Sequence, residues 1–220
     1  MCTAKNDHNS VIGRYETVLA LGAQRGHSRI NHEDSLLDLV GKLLIALPSL
    51  TDPRFHRSVI LMCDYSKDGA MGVMLNKPAS QTSLSDLLRQ LQIDMFEGFH
   101  DELTYFGGPV EMGRGFVLHD DTWLPKTDPA QITSETYLTT TQDVLKAIAR
   151  GRGPDRFKVA LGYSGWSDGQ LEDEIKENAW IVADADARLL FEVEAADLWS
   201  EALASLGVSV QSLTSDAGRA

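Results

Sequence analysis

Short apolar runs separated by polar, glycine- and proline-bearing breaks dominate the chain from residue 36 onward. Lys42 to Leu47 is a run ended by Pro48 and predicts a strand; Ser49 to Phe55, with Asp52-Pro53, predicts a loop. Ser58 to Cys63 and Ala70 to Leu75 flank the polar Asp64 to Gly69 and predict a β-hairpin. Between Ser83 and Leu91, Leu84, Leu87, Leu88 and Leu91 recur at helical spacing behind a Ser/Thr cap. Leu103 to Phe106 and Gly115 to Leu118 read as strands around a Gly107-Gly108-Pro109 turn. Thr141 to Ala149 predicts a helix with Val144, Leu145 and Ile148 on one face, and Gly151 follows its end. Phe157 to Leu161 predicts a strand and Gln170 to Glu177 a helix. Trp180 to Ala183 and Leu189 to Phe191 predict a hairpin turned at Asp184-Ala185-Asp186, and Asp197 to Leu206 a last helix stopped by Gly207.

Strands mixed with single helices, without regular βαβ alternation, predict an α+β fold. Residues 1–35 are polar and irregular, with Val18-Leu19-Ala20-Leu21 as their apolar patch, and read as a flexible extension. With no Pro/Ser-rich linker beyond it, residues 36–220 read as a single domain.

Composition narrows the function classes. Of the formal net charge of −12, −9 lies from Trp166 onward, where 12 acidic residues face 3 basic ones. Such a surface repels phosphate backbones and disfavours direct nucleic-acid binding. Two distant cysteines, Cys2 and Cys63, form no CxxC or Cys/His cluster, so neither a disulfide framework nor a zinc site is expected. No apolar run reaches the roughly 20 residues of a membrane span, and no signal-peptide core opens the chain; a cytoplasmic location is expected, with no membrane partner.

The densest chemistry lies in Leu161-Gly162-Tyr163-Ser164-Gly165-Trp166-Ser167-Asp168-Gly169-Gln170-Leu171-Glu172. Its small residues around one indole predict a tight turn that is either a packed corner or the rim of a site. Trp166 is a candidate partner anchor or a corner-filling indole with its N–H satisfied, and Ser164 and Gln170 are polar neighbours of either. Ser164 is no nucleophile elbow, because Trp166 stands where that motif needs Gly. Arg114, after Gly107-Gly108-Pro109, offers a planar fork for a carboxylate or phosphate, or a structural ion pair. Asn76-Lys77-Pro78 places Lys77 either on an anionic ligand or in plain turn chemistry. His119-Asp120-Asp121 and His100-Asp101-Glu102 read as solvated loop charges, since neighbours on a strand point to opposite faces and share no ion. Cys63 reads as an inert buried thiol beside Asp64. Glu172, Asp173, Glu174 and Glu177 are explained by the helix dipole. No catalytic motif, metal set or cofactor fingerprint is found.

Several segments resemble, in order, the AlgH/YqgE family of bacterial proteins: Leu44-Ile45-Ala46-Leu47-Pro48-Ser49-Leu50 with Asp52-Pro53 and Phe55; Arg57-Ser58-Val59-Ile60; Gly69-Ala70-Met71-Gly72 and Asn76-Lys77-Pro78; Gly107-Gly108-Pro109-Val110; Arg114-Gly115-Phe116-Val117-Leu118-His119; Asp143-Val144-Leu145; Gly162-Tyr163-Ser164-Gly165-Trp166 with Gly169-Gln170-Leu171-Glu172 and Glu174; Asn178 with Trp180; and Ala217-Gly218. Where the family usually has His before the final Ala, this chain has Arg219. The resemblance implies a bent or bifurcated mixed sheet, part of it closed as a small barrel and surrounded by helices, in a cytosolic protein. It implies little chemistry. The transcriptional-regulator label on AlgH-like proteins came with alginate production and is not a DNA-binding signature. Two readings follow: a non-enzymatic regulatory or adaptor protein acting through a protein partner at the Trp166 turn, or a binder of a small anionic ligand, or an enzyme, with Arg114 and Lys77 at the site. A concave pocket lined by Arg114, Lys77, Ser164 and Gln170 would favour the second.

Overall fold

Alternation of side chains along three central strands divides the molecule. The computed structural model describes residues 38–126 and 129–208; the 1–35 extension and the Ala217-Gly218 motif lie outside them. Strands β1 (Lys42–Ala46), β2 (Val59–Ser66) and β3 (Gly69–Met74) form an antiparallel meander. Leu43, Ile45, Val59, Leu61, Met71 and Val73 point to one face, and Leu44, Ala46, Ile60, Met62, Ala70 and Met74 to the other. This period of two makes each strand bury both faces.

The chain continues through β4 (Pro78–Ser83), α1 (Leu84–Gln90), β5 (Leu103–Phe106), β6 (Val110–Asp120), β7 (Ala130–Gln131), β8 (Thr136–Thr139) and α2 (Gln142–Ala149). It ends in β9 (Phe157–Ser167), α3 (Gln170–Lys176), β10 (Trp180–Asp184) and α4 (Leu198–Ser205). Strand order is β10-β1-β2-β3-β9-β6-β8-β7, with β4 and β5 forming a branch on β9. Only the β5–β9 ladder is parallel among the described residues.

β9 is where the sheet divides. Its first half, Val159 to Leu161, pairs with β5, and its second half, Ser164 to Ser167, pairs with β3. The inner face of the curl holds one core with α4 above it, closed by Phe116, Leu118, Ala160, Trp199 and Leu203. Behind β1–β3 lies a second core with α3, Phe55, Trp166 and Trp180. Behind β6 and β9 lies a third with α1 and α2. The capped start of α1 holds as the sequence predicts: Ser83 and Asp86 form a reciprocal capping box.

Five expectations change. The curled sheet is a half-barrel, not a closed one. Its path ends at β10 and β7, and no ladder joins these strands among the described residues. A single helical turn, Arg188–Glu192, fills that gap with Leu189 and Leu190. The same turn replaces the second strand of the predicted terminal hairpin. Adjacent Leu189 and Leu190 are both buried in the inner core, which a strand's alternation does not allow, and Asp186 accepts the Leu189 N–H at 2.7 Å.

Residues Gly162 to Trp166 are not a turn; β9 runs straight through them. Gly162, at φ +73°, absorbs a bulge where five steps of β6 (Val110 to Gly115) face two of β9 (Tyr163 to Leu161). Polar Pro78–Ser83 forms β4, with proline at its first position as an outer strand tolerates. Finally, His119 and Asp120 are not loop charges: both are buried at the end of β6.

Candidate functional site

The six candidate binding residues do not converge on one site: Trp166 and Gln170 meet at Glu174, while Asn76, Lys77, Arg114 and Ser164 have other partners. Asn76 is buried; its side-chain oxygen accepts from Val59 N and its amide donates to Arg57 O, each at 2.8 Å. That pair joins the end of β3 to the start of β2. Lys77 donates to the His56 carbonyl at 2.5 Å, and burial, then the nearby Arg57, lower its pKa. Arg114 lies 3.3 Å from a Glu111 carboxylate oxygen and 5.4 Å from the centroid of the Phe116 ring. Ser164 is 1% exposed and donates to Gly107 O at 3.3 Å.

Trp166 is 6% exposed, so its ring fills the core behind β3 and presents no platform. Register separates these groups. Trp166 pairs with Ala70, six residues before Asn76, which is about 20 Å along a strand. Leu161, paired with Gly115 beside Arg114, is five residues from Trp166, or about 16 Å. The two clefts described below contain none of Arg114, Lys77, Ser164 or Gln170 in their walls.

What does converge is an aromatic–carboxylate cluster. One oxygen of Glu174 accepts the indole N–H of Trp166 at 2.9 Å and that of Trp180 at 2.8 Å. The other accepts from Gln170 at 2.9 Å, and Gln170 in turn accepts from the Ser167 N–H and hydroxyl. The rings of Trp166 and Trp180 meet edge-to-face at 6.0 Å, and Phe55 meets Trp180 likewise at 5.8 Å. The left-handed Gly169 (φ +72°) starts α3 and aims Gln170 and Glu174, one helical turn apart, at the indoles. Beside them Tyr65 donates to Glu172, whose hydrogen bond pushes the phenol up to about 12.

Glu174 is therefore more than a favourable charge near a helix start. The signal available in the sequence was its spacing from Gln170, together with two tryptophans that each need an acceptor if buried. Its carboxylate stands in the wall of a cleft of about 540 Å³ formed by Ser49 to Arg54 with Glu174, Glu177 and Ala179. Arg54 there is forked onto Asp52, with contacts of 2.6 to 3.2 Å, and the Ser49 hydroxyl donates to the Asn178 carbonyl at 2.5 Å. The rim thus carries three carboxylates against one guanidinium.

A second buried polar cluster closes the far end of the sheet. His119 touches the Asp120 carbonyl at 2.7 Å and the Thr139 hydroxyl at 2.8 Å, between the rings of Tyr137 and Trp123. Burial lowers its pKa. Burial raises that of Asp120, but bonds from Thr122 and Arg156 together outweigh it and leave the carboxyl below its ordinary value. Arg156 also stacks on Phe191 at 5.5 Å, on the wall of a smaller cleft of about 270 Å³. Among the described residues no group of three or more His, Cys, Asp or Glu is arranged to hold a metal ion, and no helix is long and apolar enough to cross a membrane.

The profile of the AlgH-like family matches residues 43–211. The chain belongs to that family. A UPF0301 protein of Paracoccus denitrificans is 46% identical over 189 residues, covering 85% of this chain and all of its own. Another, of Thiobacillus denitrificans, is 42% identical over 184 residues, covering 84% and 98%. The solution structure of the AlgH protein from Pseudomonas aeruginosa superposes with a TM-score of 0.67 at 37% identity, covering 88% of this AlgH-like chain and all of that one. Protein DIP2367 of Corynebacterium diphtheriae has the same fold, with a TM-score of 0.63 at 20% identity over 81% and 90%. In this AlgH-like chain, the motif from Gly162 to Trp180 that carried the resemblance forms one structural unit: a bulged strand, a glycine-started helix, and the carboxylate that joins two indoles.

Proposed function

We propose that this AlgH-like chain is a non-enzymatic adaptor that binds a lysine- or arginine-bearing segment of a protein partner in the cleft between Ser49–Arg54 and α3. The observation that carries the reading is that cleft: concave, about 540 Å³, and walled by Asp52, Glu174 and Glu177 against Arg54 alone. A chain of net charge −12 steers cationic partners toward itself. The hydrogen-bonded Trp166–Glu174–Trp180 unit holds the wall rigid, which limits the ordering cost of binding. Catalysis is not needed to explain Glu174, because bonding the two indoles and Gln170 already gives its carboxylate a structural role.

The reading is tested by calorimetric titration with an arginine-rich and a glutamate-rich decapeptide at low and moderate salt. The arginine-rich peptide is expected to bind, more weakly as salt rises, and Glu177→Lys should lower its affinity several-fold. Equal binding of both peptides, or of neither, would sink the proposal.

A further inference from the structure

Lys158 interrupts the apolar sequence Phe157-Lys158-Val159-Ala160-Leu161 of β9. It lies across from Leu118, and alternation puts it on the inner face with Ala160 rather than with Val159. The residue is 7% exposed, and its Nζ has no hydrogen-bond partner among the described residues. Lysine is seldom fully buried unless paired, and a buried ammonium normally has a carboxylate against it. Here the Tyr105 ring lies beside it instead, with its centroid 5.2 Å from Nζ. Glu194, on the segment leading into α4, acts on the amine from further off, and both Glu194 and Glu102 act on Tyr105.

We propose that Lys158 is a covalent capture site for a small, uncharged aldehyde or ketone, held as a reversible imine at Nζ. In the reaction the neutral amine's lone pair attacks the carbonyl carbon and forms a C–N bond. The carbinolamine then expels water, whose oxygen comes from the carbonyl and whose hydrogens come from the amine: R–NH2 + O=CR2 gives R–N=CR2 + H2O. Burial without a hydrogen-bond partner keeps a share of the amine neutral and nucleophilic near neutral pH. Burial does hold the Lys158 pKa down at about 8, against a smaller upward pull from Glu194.

The Tyr105 ring face, which holds the ammonium, equally holds a protonated imine on the same nitrogen. Tyr105 is half-buried and Glu194 exposed. The small exposure of Lys158 favours a small ligand, and the two carboxylates that act on Tyr105 disfavour an anionic one. Lys158 is eight residues along β9 from Trp166, so this site is separate from the proposed partner cleft and does not depend on it.

The test uses the full chain at pH 7.5 with sodium cyanoborohydride and either glycolaldehyde or glyoxylate, followed by peptide mapping by mass spectrometry. At that pH roughly a quarter of an amine with a pKa of about 8 is neutral, against roughly 0.1% of an ordinary lysine. The reduced adduct should therefore form at Lys158 more than about tenfold faster than at the exposed Lys176, even after allowing for burial. Glycolaldehyde should react faster than glyoxylate, and Tyr105→Leu should slow the Lys158 adduct while leaving Lys176 unchanged. Labelling of Lys158 at or below the rate of Lys176 overturns the proposal, and a preference for glyoxylate overturns the uncharged-ligand assignment. Because wild-type protein supplies the deciding comparison, the result does not depend on any variant folding.

Discussion

Glu174→Ala tests whether the aromatic–carboxylate unit is structural cement. The substitution removes an acceptor shared by two indole N–H groups at 2.9 and 2.8 Å, on rings that are 6% and 3% exposed. A buried donor left without a partner costs about 1–3 kcal/mol. Two such donors, with the Gln170 bond also gone, predict a loss of about 3–5 kcal/mol, somewhat less than the sum because Gln170 can turn to solvent. Glu174→Gln keeps an oxygen for the indoles and sets its NH2 against the Gln170 amide, so it should cost about 1–2 kcal/mol.

Urea unfolding followed by tryptophan fluorescence reads both. With a denaturant slope of roughly 2 kcal/mol/M, Glu174→Ala should move the midpoint down by about 1.5–2.5 M. A loss below about 1 kcal/mol would refute the reasoning, because it would mean that water from the neighbouring cleft reaches the indoles once the carboxylate is gone.

Three further outcomes follow from local geometry. A Cβ on Gly107 would stand 2.2 Å from the Gly162 carbonyl oxygen, whereas one on Gly115 meets nothing within 4 Å; Gly107→Ala should cost more than about 3 kcal/mol and Gly115→Ala within about 1 kcal/mol by thermal or urea unfolding. Asp120, with its pKa lowered in the folded state, binds its proton less readily there than when unfolded. Its contribution is present above the ordinary carboxylate range and lost as pH falls through it, so Asp120→Asn should flatten the acid limb of a stability–pH profile and cost about 1–3 kcal/mol at pH 7. Lys158 has the opposite chemistry. With its pKa at about 8 in the fold and ordinary when unfolded, the unfolded chain binds more protons between the two values, so stability should rise from pH 8 to about 10, and Lys158→Met should abolish that rise while leaving the protein as stable or more stable at pH 7.

The sequence by itself determined the local alphabet. Helical spacing of Leu84, Leu87, Leu88 and Leu91 behind Ser83 specifies α1, and the apolar runs around Lys67-Asp68 specify the β2–β3 hairpin, because those signals act within a few residues. The family likewise followed from ordered short motifs. Tertiary structure alone decided what the densest motif is for. Glycines and serines from Gly162 to Trp166 have the composition of a turn, yet they stay in a strand because β3 pairs with Ser164 to Trp166, β6 pairs with Tyr163, and Gly162 absorbs the bulge. The same long-range pairing buries His119 and Asp120, whose neighbours in sequence look solvated, and it holds Asn76, Arg114 and Trp166 apart on different strands. Glu174 meets two indoles, and Lys158 meets none of the carboxylates nearby, only once the sheet has curled. Strand pairing joins residues far apart in the chain, and no local pattern encodes which partner an acid or an amine will find.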